Sequence, residues 1–126
     1  MRRTATILVV VAPMITFSSG VALAAYEVSI TGTIGEDIIS GTRQAEHISG
    51  LGGDDQLNGN GGADNLIGQG GDTSVDRFYG GSGGDTVQSR DVPAVKDTVG
   101  CDAGTDTLYA DKADVVGGDC ERVKAW

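Results

Sequence analysis

The sequence predicts an all-β fold, a solenoid of short strands and glycine-rich loops, on three observations. From Gly32 the chain divides into consecutive blocks of nine, GTIGEDIIS, GTRQAEHIS, GLGGDDQLN and GNGGADNLI, each opening on glycine. The sixth place of each block is an acid: Asp37, Glu46, Asp55 and Asp64. The eighth is aliphatic: Ile39, Ile48, Leu57 and Leu66. A unit that repeats at a short fixed period cannot bury its apolar side alone and does so by stacking on its neighbours.

Residues 1–24 read as an export signal rather than as part of the fold. Arg2 and Arg3 form a positive start, 7–15 an apolar run, and Ala22-Leu23-Ala24 a small-residue cleavage box with the cut after Ala24. Pro13 interrupts the apolar run, and Thr16, Ser18, Ser19 and Gly20 follow it, so it falls short of the roughly 20 apolar residues of a spanning helix. A retained membrane anchor is the alternative. Twin-arginine export fits the flanking residues poorly, and the general secretory route is preferred. Residues 25–31 are a lead-in.

The chain carries 9 basic and 18 acidic residues, a net charge of -9, and the cut would remove only positive charge. Nucleic acid and anionic lipid are bound by Lys and Arg that neutralise phosphate, so this surface excludes both as partners and favours cations. High acidity with few aromatics is also a signature of disorder. The ordered period argues for a fold.

Beyond residue 67 the pattern continues with expansions. The acid-x-apolar triplets are Asp76-Arg77-Phe78, Asp85-Thr86-Val87, Asp97-Thr98-Val99 and Asp106-Thr107-Leu108, at steps of 12, 9, 12 and 9 residues between acids. Asp114-Val115-Val116 and Glu121-Arg122-Val123 close the series. Ten turns result, covering 32–123. Each reads as a six-residue loop followed by a three-residue strand whose middle side chain points inward, because successive side chains alternate faces. Ile39, Ile48, Leu57, Leu66, Phe78, Val87, Val99, Leu108, Val116 and Val123 are the expected core. Glycine at the first, second and fourth loop places is expected to supply positive φ and to expose carbonyl oxygens. The core is thin, and something besides apolar burial must stabilise it.

These blocks resemble the RTX, or haemolysin-type, repeat family, with consensus G-G-x-G-x-D-x-U-x where U is a large apolar residue. GGSGGDTVQ at 80–88 and GNGGADNLI at 59–67 are the closest copies. Turns one and two are degenerate, with Thr33, Thr42, Gln44 and Glu46 at consensus positions, and turns seven to ten lose most of their glycines. The resemblance implies a right-handed parallel β-roll, a β-solenoid with two repeats per coil, so that odd loops stack on one edge and even loops on the other. It covers 32–88 as calcium-binding repeats and leaves 89–126 as a degenerate, disulfide-stapled cap.

The resemblance also implies Ca2+ as the ligand. Aspartates in stacked loops repel one another until a cation lies between them, and calcium takes about six to eight oxygens in a flexible shell. Winding and binding are then coupled. On the odd edge, loop 50–55 is expected to face the loop opened by Gly68, with carboxylates from Asp55 and Asp76 and carbonyls from Gly50, Gly52, Gly68 and Gly70. On the even edge, loop 59–64 faces loop 80–85, using Asp64 and Asp85 with Gly59, Gly61, Gly80 and Ser82. A further site pairs Asp37 with Asp55. Glu46 is a weaker candidate because its loop lacks the second and fourth glycines. In the fifth loop Asp72 competes with Asp76 as ligand. Asp54 and Glu36 are read as solvated.

Cys101 and Cys120 are the only cysteines, an even count in an exported chain, which favours one disulfide. Cys101 opens the eighth loop and Cys120 lies in the tenth, adjacent layers of one edge. The staple is expected to replace calcium where the glycines run out.

A catalytic role finds no support. His47, the only histidine, sits at an outward strand position, and neither H-E-x-x-H nor a nucleophile elbow occurs. The expected function is a secreted calcium ion-binding protein, extracellular or at the cell surface, with no stable membrane insertion after signal removal. The alternatives are an adhesive module whose flat face of Thr, Gln, Asn and Ser meets an unspecified protein or glycan, and an extracellular calcium buffer or sensor with sites of about 10⁻⁴ to 10⁻³ M.

Overall fold

The computed structural model describes residues 5–7, 28–68 and 73–125. Twelve strands follow in order: β1 (Ala5–Ile7), β2 (Val28–Thr31), β3 (Asp37–Ser40), β4 (Glu46–Ser49), β5 (Gln56–Asn58), β6 (Asn65–Ile67), β7 (Arg77–Tyr79), β8 (Thr86–Gln88), β9 (Thr98–Gly100), β10 (Thr107–Ala110), β11 (Val115–Val116) and β12 (Arg122–Ala125). Among the described residues there is no helix.

Successive strands alternate between two parallel six-stranded sheets. One runs β1-β3-β5-β7-β9-β11 and the other β12-β10-β8-β6-β4-β2. Each strand therefore pairs with the strand two places on, which is a β-solenoid with two repeats per coil, and all-β as expected. The three-residue expansions at turns five and seven fall in odd-edge loops and leave the register intact. Leu57 pairs with Phe78 across the first, and Phe78 with Val99 across the second.

The inward residues form two facing columns. Ile39, Leu57, Phe78, Val99 and Val116 align in one sheet. Ile30, Ile48, Leu66, Val87, Leu108 and Val123 align in the other. Alternation puts the strand flanks outward, and β5, β6 and β8 each bury only their middle residue.

The ends depart from expectation. Val123 was expected in the core and is 43% exposed, and Val116 is only partly buried against the core, because among the described residues no strand pairs with the outer edge of β11 or β12 to cover them. At the other end Ile30 of the lead-in is buried at 4%, so β2 supplies an extra layer. β1 falls within the stretch read as an export signal and pairs with β3, Ala5 opposite Asp37. The cleavage position after Ala24 lies outside the described residues.

Candidate metal centre

Four loops, 50–55, 59–64, 80–85 and 101–106, owe their shape to two places in the block. At the second, φ is positive at Leu51 (73°), Asn60 (69°), Gly81 (90°) and Asp102 (66°); at the fourth, at Gly53 (92°), Gly62 (96°), Gly83 (125°) and Gly104 (131°). The first-place glycine answers to a different constraint than the positive φ expected of it. A Cβ on Gly59 would lie 2.4 Å from Oδ2 of Asp64 and 2.5 Å from the carbonyl oxygen of Gly80, and one on Gly80 would lie 2.7 Å from both Asp85 Oδ2 and the Cys101 carbonyl. The missing side chain makes room for the loop's own carboxylate and for the carbonyl of the next coil.

The sixth-place acids line both edges as ladders. Asp55 accepts the N–H of Asp37 at 2.9 Å, Asp76 that of Asp55 at 2.9 Å, and Asp97 that of Asp76 at 2.9 Å. On the even edge Asp64 accepts from Glu46 at 2.9 Å, Asp85 from Asp64 at 2.8 Å, and Asp106 from Asp85 at 2.8 Å. In every case the acceptor is Oδ1. All these acids are buried, with side chains at most 3% exposed. Oδ2 of Asp64, Asp85, Asp97 and Asp106 is buried, with no hydrogen-bond partner among the described residues.

Such an oxygen is costly to leave as a bare anion, and the carboxyls respond accordingly. Asp64 is pushed up from 3.8 to about 7, first by burial, with the charges of Asp85 and Glu46 adding and the N–H of Glu46 opposing. Asp85 rises to about 6 by burial, with Asp106 and Asp102 adding against the Asp64 N–H. Asp97 rises to about 8, again by burial first, among Asp91, Asp76 and Asp114. A divalent cation would satisfy the orphaned oxygens and offset the repulsion together. Calcium fits this donor set, which is oxygen only and is carried on loops that can adjust. Among the described residues no three His, Cys, Asp or Glu side chains gather as a ready-made metal site. A cation here would therefore draw on carboxylates of two stacked loops and on main-chain carbonyls.

The structure brings Asp64 with loop 59–64 over Asp85 with loop 80–85, including Gly59, Gly61, Gly80 and Ser82, and Gly61 bridges Ser82 directly. On the odd edge Asp55 stacks on Asp76, and Gly50, Gly52 and Gly68 are placed in the adjoining loops. Asp76 takes the sixth-place position of the fifth loop. Gly70 and Asp72 lie outside the described residues. Asp37 stacks on Asp55, but its carboxylate already accepts from the N–H and hydroxyl of Thr33. Glu46 is held likewise by the N–H and hydroxyl of Thr42. The degenerate turns thus carry a threonine that occupies the carboxylate oxygens left open in turns four and six. Asp54, exposed, accepts the N–H of Val75 at 2.9 Å, so it also ties two coils together. His47 lies on the outward face, 3.2 Å from Asn65. Cys101 and Cys120 form a disulfide with Cα atoms 5.1 Å apart, the expected staple between adjacent layers.

Sequence reasoning undervalued Asp97 and Asp106. Both were placed in the period, yet the loss of flanking glycines kept them out of the candidate set. Their burial follows from the acid-x-apolar triplet, which was the signal available.

Stacked loops on a two-sheet parallel solenoid, those of turns one to eight folded over a buried carboxylate, define a β-roll. A family model described as RTX calcium-binding nonapeptide repeat (4 copies) matches residues 31–66, 40–75 and 50–87, and across 31–87 the chain belongs to that family. It is a calcium-binding repeat protein. No curated protein and no solved structure matches the chain.

Proposed function

We propose that this chain is an exported calcium-binding protein whose roll completes its winding when calcium enters between stacked loops. The carrying observation is the pair Asp64 and Asp85, buried one coil apart, each with one oxygen in the ladder and one without a partner among the described residues. The ligand set on the even edge is Asp64, Asp85 and the carbonyls of Gly59, Gly61, Gly80 and Ser82. On the odd edge it is Asp55, Asp76 and the carbonyls of Gly50, Gly52, Gly68 and Gly70. Asp37 serves the outermost odd-edge site, where a cation shares its carboxylate with Thr33. Export rests on the charged start, apolar run and cleavage box of residues 1–24, and places the working protein outside the cell or at its surface.

A calcium titration followed by circular dichroism, with magnesium as control, tests this reading. Little β-structure in chelator and a cooperative gain with calcium are expected. A chain equally wound in chelator overturns the coupling. Magnesium, which demands near-ideal octahedral geometry and keeps its waters, should be a poor substitute.

A scaffold for adhesion has one observation in its favour. His47, Asn65, Thr86 and Thr107 form an outward polar column in register on one flat sheet, with Gln88 and His47 both bonded to Asn65. Binding of the calcium-loaded monomer to cells or glycans would favour that use, with calcium then structural.

A further inference from the structure

The family match stops at residue 87, and the next even-edge loop, 101–106, begins with a cysteine and keeps a single glycine, Gly104. Its backbone nevertheless repeats the two loops stacked before it. Positive φ falls at Asn60 and Gly62 in loop 59–64, at Gly81 and Gly83 in loop 80–85, and at Asp102 and Gly104 in loop 101–106. The third-place residues form one bridged column, Gly61 to Ser82 to Ala103. The N–H of Ala103 donates to the Gly81 carbonyl at 3.1 Å, and the N–H of Gly83 to the Ala103 carbonyl at 2.9 Å. The Cys101 carbonyl approaches Gly80 as closely as the Gly80 carbonyl approaches Gly59, 2.7 Å against 2.5 Å from the position of an added Cβ.

The carboxylate matches too. Asp106 is fully buried, its Oδ1 accepts the Asp85 N–H at 2.8 Å, and its Oδ2 has no hydrogen-bond partner among the described residues, which is the condition of Asp85 over Asp64. Among the described residues nothing occupies that oxygen, whereas in turns one and two a threonine does.

We propose that loop 101–106 is a further calcium loop, which with loop 80–85 holds one cation between Asp85 and Asp106, and that the Cys101–Cys120 disulfide fixes the loop's first residue for it. Covalent staple and cation then act on one loop, where the sequence suggested that one replaces the other. This inference rests on the reading of calcium between stacked loops. Cys101 supplies a carbonyl where the earlier loops use glycine, and the disulfide holds that carbonyl against Gly80 without the freedom of a glycine-rich loop.

Calorimetric calcium titration of the oxidised full chain, wild type against Asp106→Asn, tests it. Asparagine keeps an oxygen for the Asp85 N–H and removes the charge. The variant is expected to bind one calcium fewer per chain while still winding at saturating calcium by circular dichroism. Unchanged stoichiometry and affinity overturn the site. Should Asp106→Asn fail to wind, the wild type with its disulfide reduced carries the test: one site weakened at least tenfold, with the others unmoved, supports the proposal, and identical binding overturns it. A wild-type chain that binds no calcium at all overturns the functional reading as well, whereas a binding wild type with an unaltered variant removes this site alone.

Discussion

The carboxylate of Asp85 accepts the main-chain N–H of Asp64 at 2.8 Å, so the group that sets the spacing between two coils is also a group available to a cation. One oxygen belongs to the ladder and the other is left over. The ladder therefore does not saturate the acid. It aims it, holding each carboxylate beneath its own loop once the coils are stacked.

Metal-free winding is expected to weaken as pH rises. Asp64 and Asp85 ionise at about 7 and about 6 in the wound chain against 3.8 when free. A folded value above the unfolded one means that the wound form holds its protons more tightly, so this stability is complete below about 3.8 and is lost as pH rises through 6 to 7. In chelator, the β-signal should be stronger at pH 5 than at pH 8. With calcium the dependence reverses, because binding requires the ionised carboxylates and releases protons. The calcium concentration at half-winding should rise as pH falls from about 8 to about 6, and a midpoint indifferent to pH would remove these acids from the site.

Gly83→Ala is expected to be far more damaging than Gly84→Ala. Gly83 has φ of 125°, and its added Cβ would stand 1.8 Å from the Gly62 carbonyl oxygen, a contact that cannot be relieved without parting the coils. Gly84 has its nearest neighbour at 3.3 Å. Losses of more than about 2 kcal/mol and of less than about 1 kcal/mol are expected, read from urea unfolding at saturating calcium. Equal losses would mean that the two coils are not packed this closely.

The features that repeat were legible in the sequence, because the period that encodes them is the period that the fold uses. Alternation of strands between sheets, the two inward columns that begin with Ile39 and Ile48 and the pairing of Cys101 with Cys120 all follow from counting turns. What a local pattern does not carry is whether a neighbour exists. Val123 has the right place in its triplet and no coil to cover it, while Ile30 lacks both loop and acid and is buried because β4 lies beside it. The role of the first glycine was hidden for a related reason. Its constraint comes from the carboxylate and from the next coil rather than from its own dihedral angles, so only the stacked structure exposes it. The threonines of turns one and two read as losses of consensus, and they become hydrogen-bond donors only once the carboxylates are seen to face them.

Reduction of the disulfide should destabilise the C-terminal coils specifically. Cys101 and Cys120 are 19 residues apart in sequence and join two layers near the open end, where β11 has two residues and β12 is exposed throughout. Closing a loop of this size is worth about 3 kcal/mol. Hydrogen exchange in calcium should show faster exchange for β10 and β12 after reduction, with β5 to β8 little changed, since each coil contacts only its neighbours. Uniform acceleration along the chain would argue that the roll unfolds as one unit.

Phe78→Ala should cost more than truncation at any other inward position, whereas Val123→Ala should cost little. Phe78 is the largest fully buried side chain and is stacked between Leu57 and Val99 at the middle of its sheet. Removing it leaves a cavity in the coil that joins the matched repeats to the tail, for a loss of about 3 to 5 kcal/mol. Val123 is 43% exposed on a terminal strand, and its truncation should fall within about 0.5 kcal/mol. In a stack stabilised by neighbours the central loss should also divide the transition, because coils on either side of the cavity no longer reinforce each other. Urea unfolding at saturating calcium checks both points. A Phe78→Ala variant that unfolds in one step at the wild-type midpoint would show that the facing columns do not hold the roll together.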